Sequence, residues 1–167
     1  MPATYTLIDS EVLTSSAASV TFSSIPATYT DLVVRISGRT DVNNNNTYYQ
    51  CEFNASTANF TYRQLYADGT SAGSSSGTFG YFGVTSGAAD VANVFGNAEI
   101  YIPNYAGSTN KPFSVFAVQE DNASEVYMSA IAGLRSNTDA ITSIKIKSAT
   151  GNLVSGSSFY LYGISNA

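Results

Sequence analysis

The chain has 167 residues but no histidine, no tryptophan and a single cysteine. Without histidine it lacks the commonest general base and the commonest transition-metal ligand. A serine nucleophile would then need a lysine or a carboxylate as its base. The three lysines stand in "TNKPF" and "IKIKS", a loop setting and a solvent-facing strand edge. No G-x-S-x-G elbow, P-loop or G-x-G-x-x-G turn occurs. Cys51, alone in the apolar alternating run "YYQCEF", excludes an internal disulfide framework and reads as a buried, inert thiol. With no tryptophan and one cysteine, the Cys…Trp…Cys core of an immunoglobulin domain is excluded too.

Charge is also scarce. Charged residues make up 11% of the chain, against roughly 25% in ordinary soluble domains. Seven lysines and arginines oppose twelve carboxylates, for a net charge of −5. The seven are scattered, whereas a nucleic-acid binder concentrates positive charge to displace counterions from phosphate. Nucleic-acid binding is therefore disfavoured. Acidic residues gather only as Glu120, Asp121 and Glu125 in "VQEDNASEV", which reads as a hairpin tip and not as a glycosidase pair. No window approaches the roughly 18 apolar residues of a membrane helix, and "MPATYTLIDSEVL" lacks the basic start and apolar core of a signal peptide. The expectation is a non-enzymatic chain made in a cytoplasm, needing no cofactor and no membrane.

Period-two alternation is abundant. In "DLVVRIS", Leu32, Val34 and Ile36 share one face, and Ile144 and Ile146 do so in "TSIKIKS". The pattern predicts strands near 4–14, 18–24, 30–38, 47–54, 60–67, 78–84, 94–102, 112–119, 125–134, 139–148 and 157–164. Only 87–94, "GAADVANV", has helix-friendly composition. Short strands between Gly, Pro, Asn and Ser turns predict a single all-β domain over 1–167, a two-sheet antiparallel β-sandwich of jelly-roll type. Residues 1–14 are expected as an N-terminal arm, and the Gly/Ser-rich 67–80 as a mobile loop. The pentamer "PATYT" stands at both Pro2–Thr6 and Pro26–Thr30, but the match extends no further and marks no repeat.

One stretch has metal-like spacing. "DVNNNNTYYQCE" sets Asp41, Asn43, Asn45 and Glu52 at positions 1, 3, 5 and 12 of a calcium loop. Its flanks read as strands where that motif needs helices, so the stretch reads as a polar Asn turn without a metal. Tyrosine is the abundant aromatic, suited to interfaces and to stacking on sugars. Hydroxyl- and amide-rich polarity with little charge suits a chain that packs beside copies of itself. Candidate interface residues are Thr4, Tyr5, Leu7, Ile8 and Val12 on the arm, with Tyr48, Tyr49 and Tyr66 on the strands.

Four phrases, "SAASVTFSSIPATYTDLVVRIS", "EIYIPNYAGSTNKPFSVFA", "AGLRSNTDAITSIKI" and "GNLVSGSSFYLYGI", resemble small virion structural proteins of tailed bacteriophages, especially the marine and cyanobacterial type. The resemblance covers about residues 5–164. It implies a β-sandwich on the virion exterior, as a capsid decoration (cement) protein or a fibre or tail accessory, with no catalytic residues to map. The expected role is a self-associating subunit, a homotrimer, that bridges capsomers and contacts the major capsid protein or other virion proteins. The alternative is a head- or tail-fibre module that recognises host glycans through Tyr48, Tyr49 and the Asn-rich loop.

Overall fold

The computed structural model describes residues 4–122 and 126–165. Twelve strands run through them: β1 (Tyr5–Val12), β2 (Ser19–Phe22), β3 (Asp31–Gly38), β4 (Thr47–Phe53), β5 (Phe60–Ala67), β6 (Ala72–Gly77), β7 (Tyr81–Thr85), β8 (Gly96–Pro103), β9 (Lys111–Glu120), β10 (Val126–Arg135), β11 (Ile144–Ser148) and β12 (Ser158–Ile164). They form two antiparallel sheets, in the orders β1-β12-β3-β8-β9-β10-β5-β6 and β2-β11-β4-β7. The all-β sandwich expected from the alternation is what the chain forms.

The pairing explains the architecture. β1 pairs with β12, β2 with β11, β3 with β8 and β4 with β7, so the first half of the chain matches the second half in reverse order. One long antiparallel ribbon is thus rolled so that successive segments alternate between the sheets, which is jelly-roll winding. Two insertions depart from that minimum. The β5–β6 hairpin follows β4, β9 and β10 follow β8, and all four strands extend the larger sheet on one side.

Aromatic rings hold the extension to the smaller sheet. Phe53 and Phe82 come from the smaller sheet, and Phe60 and Phe113 from the extension. Ring centroids lie 5.3 Å apart for Phe53–Phe60, 5.9 Å for Phe53–Phe113 and 5.7 Å for Phe82–Phe113, mostly edge to face, the geometry the ring quadrupoles favour. A second cluster joins Tyr62 of β5 to Phe79 at 5.1 Å and to Tyr81 at 4.8 Å, with Tyr48 of β4 against both of those rings.

Several expectations are corrected. Residues 67–80 contain a strand, β6, paired with β5 from Tyr62↔Gly77 to Ala67↔Ala72. The glycines make this possible, because the Tyr66 and Tyr62 rings lie where Cβ atoms of Gly73 and Gly77 would stand, 2.6 and 2.5 Å away. Residues 5–12 form the strand that the alternation predicts over 4–14, and pairing with β12 makes the expected arm part of the larger sheet, with residues 1–3 outside the described residues. The helix-friendly 87–94 forms turns, pinned when the Arg39 guanidinium donates to the carbonyls of Asp90, Val91 and Val94 at 2.8–2.9 Å. In the expected strand 139–148 only Ile144–Ser148 pairs. The segment before it is held instead by Asn54, which accepts from the Thr142 and Ser143 amides and donates to the Ala140 carbonyl.

Candidate functional site

The inward face of the large sheet is filled by the core. Among the described residues nothing covers its outward face, and the registers show what it carries. Across the β1-β12-β3-β8 half, polar and aromatic side chains satisfy one another. The Arg35 Nε donates to Glu99 at 2.9 Å, and the guanidinium stands 5.9 Å from the ring centres of both Tyr5 and Tyr162. The Tyr101 hydroxyl donates to the Asp31 carboxylate at 2.8 Å, which holds the phenol pKa above its usual value.

The extension half differs. One cross-strand row runs Ser76, Arg63, Ala132, Ser114, and the next runs Ser74, Leu65, Ala130, Phe116. The small residues Ala130, Ala132 and Ser114 form the floor of an open trough of about 640 Å³, bounded by Leu65, Arg63 and the serines of β6. A shallower depression continues it past Phe116 and Met128. Leu65 is 68% exposed, Phe116 52% and Met128 45%. Three large apolar side chains side by side on an open sheet are the kind of patch that marks a contact surface. Among the described residues Arg63 is the one formal charge lining the trough.

Sequence reasoning did not single out Leu65, Phe116, Met128 or Arg63. The signal was there in "KPFSVFAVQE", where Phe113, Val115 and Ala117 share one parity while Phe116 and Val118 hold the other. Apolar residues on both parities of one strand mean that both faces of the sheet are apolar.

The residues that were singled out fall in separate places. Thr4, Tyr5, Leu7 and Val12 are exposed at or beside edge strand β1, and Ile8 is half-buried against the core. Tyr49 is corrected as an interface residue: its ring is fully buried, and its hydroxyl bonds Thr85 Oγ1 at 2.7 Å. Burial holds that phenol far above its usual pKa. Tyr48 is half-buried in the second aromatic cluster, and Tyr66 stacks on Tyr127 at 5.3 Å.

The calcium-like residues do not converge. Asp41 accepts from the backbone and side-chain nitrogens of Asn152 at 2.6 and 2.8 Å, bonds that hold its carboxyl below the usual range. Glu52 faces the neighbouring strand, 3.0 Å from Lys147 and 3.5 Å from Lys145. Asn45 uses its carbonyl to accept from Gln119. Among the described residues no group of three or more His, Cys, Asp or Glu side chains is placed to hold a metal. Cys51 is buried and its thiol is pushed well above the usual pKa by desolvation, which suppresses the reactive thiolate.

One further sequence reading changes, while the hairpin tip read at residues 120–125 stands between the paired strands β9 and β10. Lys111 is not an exposed loop residue. It is fully buried, and its Nζ donates to the carbonyls of Gly107, Thr109 and Thr138. Of the acidic trio, Glu120 caps the Asn122 amide at 2.6 Å and Asp121 is buried, while Glu125 lies outside the described residues.

No family model matches the chain. No curated protein matches it. Among solved structures, Caenorhabditis elegans galectin LEC-6 aligns over 98% of this chain and 96% of its own, at 9% identity and a TM-score of 0.35. A toad ovary galectin, in complex with thio-digalactose, aligns over 78% of this chain and 99% of its own, at 10% identity and a TM-score of 0.28. Likenesses this faint carry no argument about function or ligand.

Proposed function

We propose that this protein is a non-catalytic subunit of a larger assembly, and that the outer face of its extension is the surface it presents to a protein partner. The observation that carries the reading is the exposed patch of Leu65, Phe116 and Met128 beside a trough floored by Ala130, Ala132 and Ser114. Small residues on a sheet let a partner approach closely, and three apolar knobs beside them supply area whose burial is favourable. With one charge on the trough, docking strands few ions away from water.

The resemblance to tailed-phage virion proteins supplies the setting proposed for that surface: a decoration or cement protein on the exterior of the particle, bridging subunits of the major capsid protein. The scarcity of charge and the abundance of hydroxyls in the chain support the same reading. Leu65→Lys with Phe116→Lys tests it. In a binding assay with purified virions stripped of this protein, the native chain is expected to reoccupy the shell. The double variant is expected to lose binding at least tenfold at an unchanged Tm. A native chain that stays free of every virion surface overturns the proposal.

A second reading is a fibre-type module that holds host glycans. It is favoured by one feature, the trough itself, where Ser74, Ser76 and Ser114 hydroxyls stand with Arg63 beside apolar carbon. A glycan array with native chain and Arg63→Ala decides it: saturable binding that the substitution abolishes is required.

A further inference from the structure

Edge strands of soluble proteins usually carry a guard, because their unpaired N–H and C=O groups template pairing with another chain. The large sheet has two edges, β1 and β6. β1 is guarded: it bears Asp9 and Glu11, and its register breaks between Leu7 and Asp9. β6, Ala72-Gly-Ser-Ser-Ser-Gly77, has no charge, no proline and no bulge. It is bonded to β5 along its whole length, and no strand among the described residues pairs with its outer side.

From this edge we infer that β6 pairs with β6 of a second copy, antiparallel about a two-fold axis at Ser75. The sequence of the strand selects that partner. Residues 73–77 read Gly-Ser-Ser-Ser-Gly, the same in both directions. In an antiparallel pair, opposed residues must point to the same face of the sheet. Centring the two-fold on Ser75 meets that condition: Ser75 faces its own copy, Ser74 faces Ser76, and Gly73 faces Gly77. Serine hydroxyls then oppose serine hydroxyls on the outer face, a favourable cross-strand pair. On the inner face the glycines oppose each other. The rings of Tyr66 and Tyr62 already lie over those glycines, so their tips meet the other copy's ring tips across a seam about 4.8 Å wide. Self-pairing of β1 would instead set Asp9 and Glu11 against their own copies, so like charge disfavours the other edge. A foreign strand would find only Ala, Gly and Ser on β6 and no pocket to read its side chains.

The pairing is isologous, so it closes at two copies and continues the large sheet from one subunit into the next. It rests on the proposed role of the chain as an assembly subunit, and it specifies a dimer seam where the sequence suggested a trimer. The seam leaves the Leu65–Phe116 face open on the same side of both copies.

The test uses the full chain with Ser75→Cys, whose only other thiol, Cys51, is buried. Opposed residues on an antiparallel pair have Cβ atoms about 4.5–5.5 Å apart, and the near end of that range meets the roughly 3.5–4.5 Å that a disulfide spans. Mild oxidation is expected to give a covalent dimer, whereas Thr70→Cys, at the hairpin tip off the axis, stays uncrosslinked. Light scattering is expected to give twice the chain mass for the native protein and the single mass for Ser74→Lys with Ser76→Lys, in which lysines oppose lysines. Ser74→Glu with Ser76→Lys restores opposite charges across the axis and is expected to recover the dimer. A native monomer or trimer, equal crosslinking at Thr70→Cys, or a dimer indifferent to the lysine pair overturns the seam. A chain that reoccupies virions as a monomer loses this inference and keeps the proposed function. A β6-linked dimer that ignores every virion surface does the reverse.

Discussion

Single residues show how little slack the interior has. A Cβ on Gly133 would lie 2.1 Å from the Phe113 ring, inside the aromatic cluster that ties the two sheets together. Gly133→Ala is therefore expected to cost roughly 1–3 kcal/mol, read as a lower urea midpoint at an unchanged slope. Glu52 sets a second expectation. Its bond from Lys147, helped by the charge of Lys145, holds the carboxyl below its ordinary value in the fold. A carboxyl with a depressed folded pKa contributes stability above its unfolded pKa and loses it as the pH falls through the folded value. Native Tm should accordingly fall as the pH drops from about 5 to about 3, and Glu52→Gln should flatten part of that slope. Cys51 was legible as a buried thiol because its neighbours alternate. Lys111 was not, because the three carbonyls that hold it come from backbone folded back by the turns at 107–109 and 138. Nothing in "TNKPF" records that return.

At the scale of elements, composition misled where a neighbour's side chain decided the outcome. The run "AGSSSG" has poor strand propensity by itself, yet β6 forms because Tyr62 and Tyr66 on β5 cover Gly77 and Gly73. Gly73→Val should displace the Tyr66 ring from its stack on Tyr127 and free the hairpin, seen as faster amide exchange over 62–77 with the rest of the sheet unchanged. The strands β3, β8 and β12 were readable almost residue by residue, since one parity carries no charged or polar side chain, and β9 was readable over its apolar centre, 113–117. The same alternation hid the candidate site. Reading β9 for its inward Phe113, Val115 and Ala117 left Phe116 looking incidental, and only the register with Ala130 and Leu65 makes a patch of it.

The whole molecule is a ribbon rolled upon itself, and its closing contact joins β1 to β12 across nearly the entire chain. Strand content and sheet count follow from local alternation. The order of strands within each sheet does not, because it depends on pairings more than a hundred residues apart. Such a topology gains its contacts late, so refolding is expected on the millisecond-to-second scale typical of non-local β folds and not in microseconds. Stopped-flow tyrosine fluorescence would report it. Removal of residues 4–12 should lower Tm by several degrees, because it strips the strand that covers β12; loss of an appendage would leave Tm unchanged. The same closure has a practical corollary. The Ser165 amide donates to the Thr4 carbonyl at 3.2 Å, so the described backbone begins and ends at one rim, seven strands away from β6. A circular permutant of residues 4–165 opened in the Asp68–Ser71 turn would need only a short joint between Thr4 and Ser165.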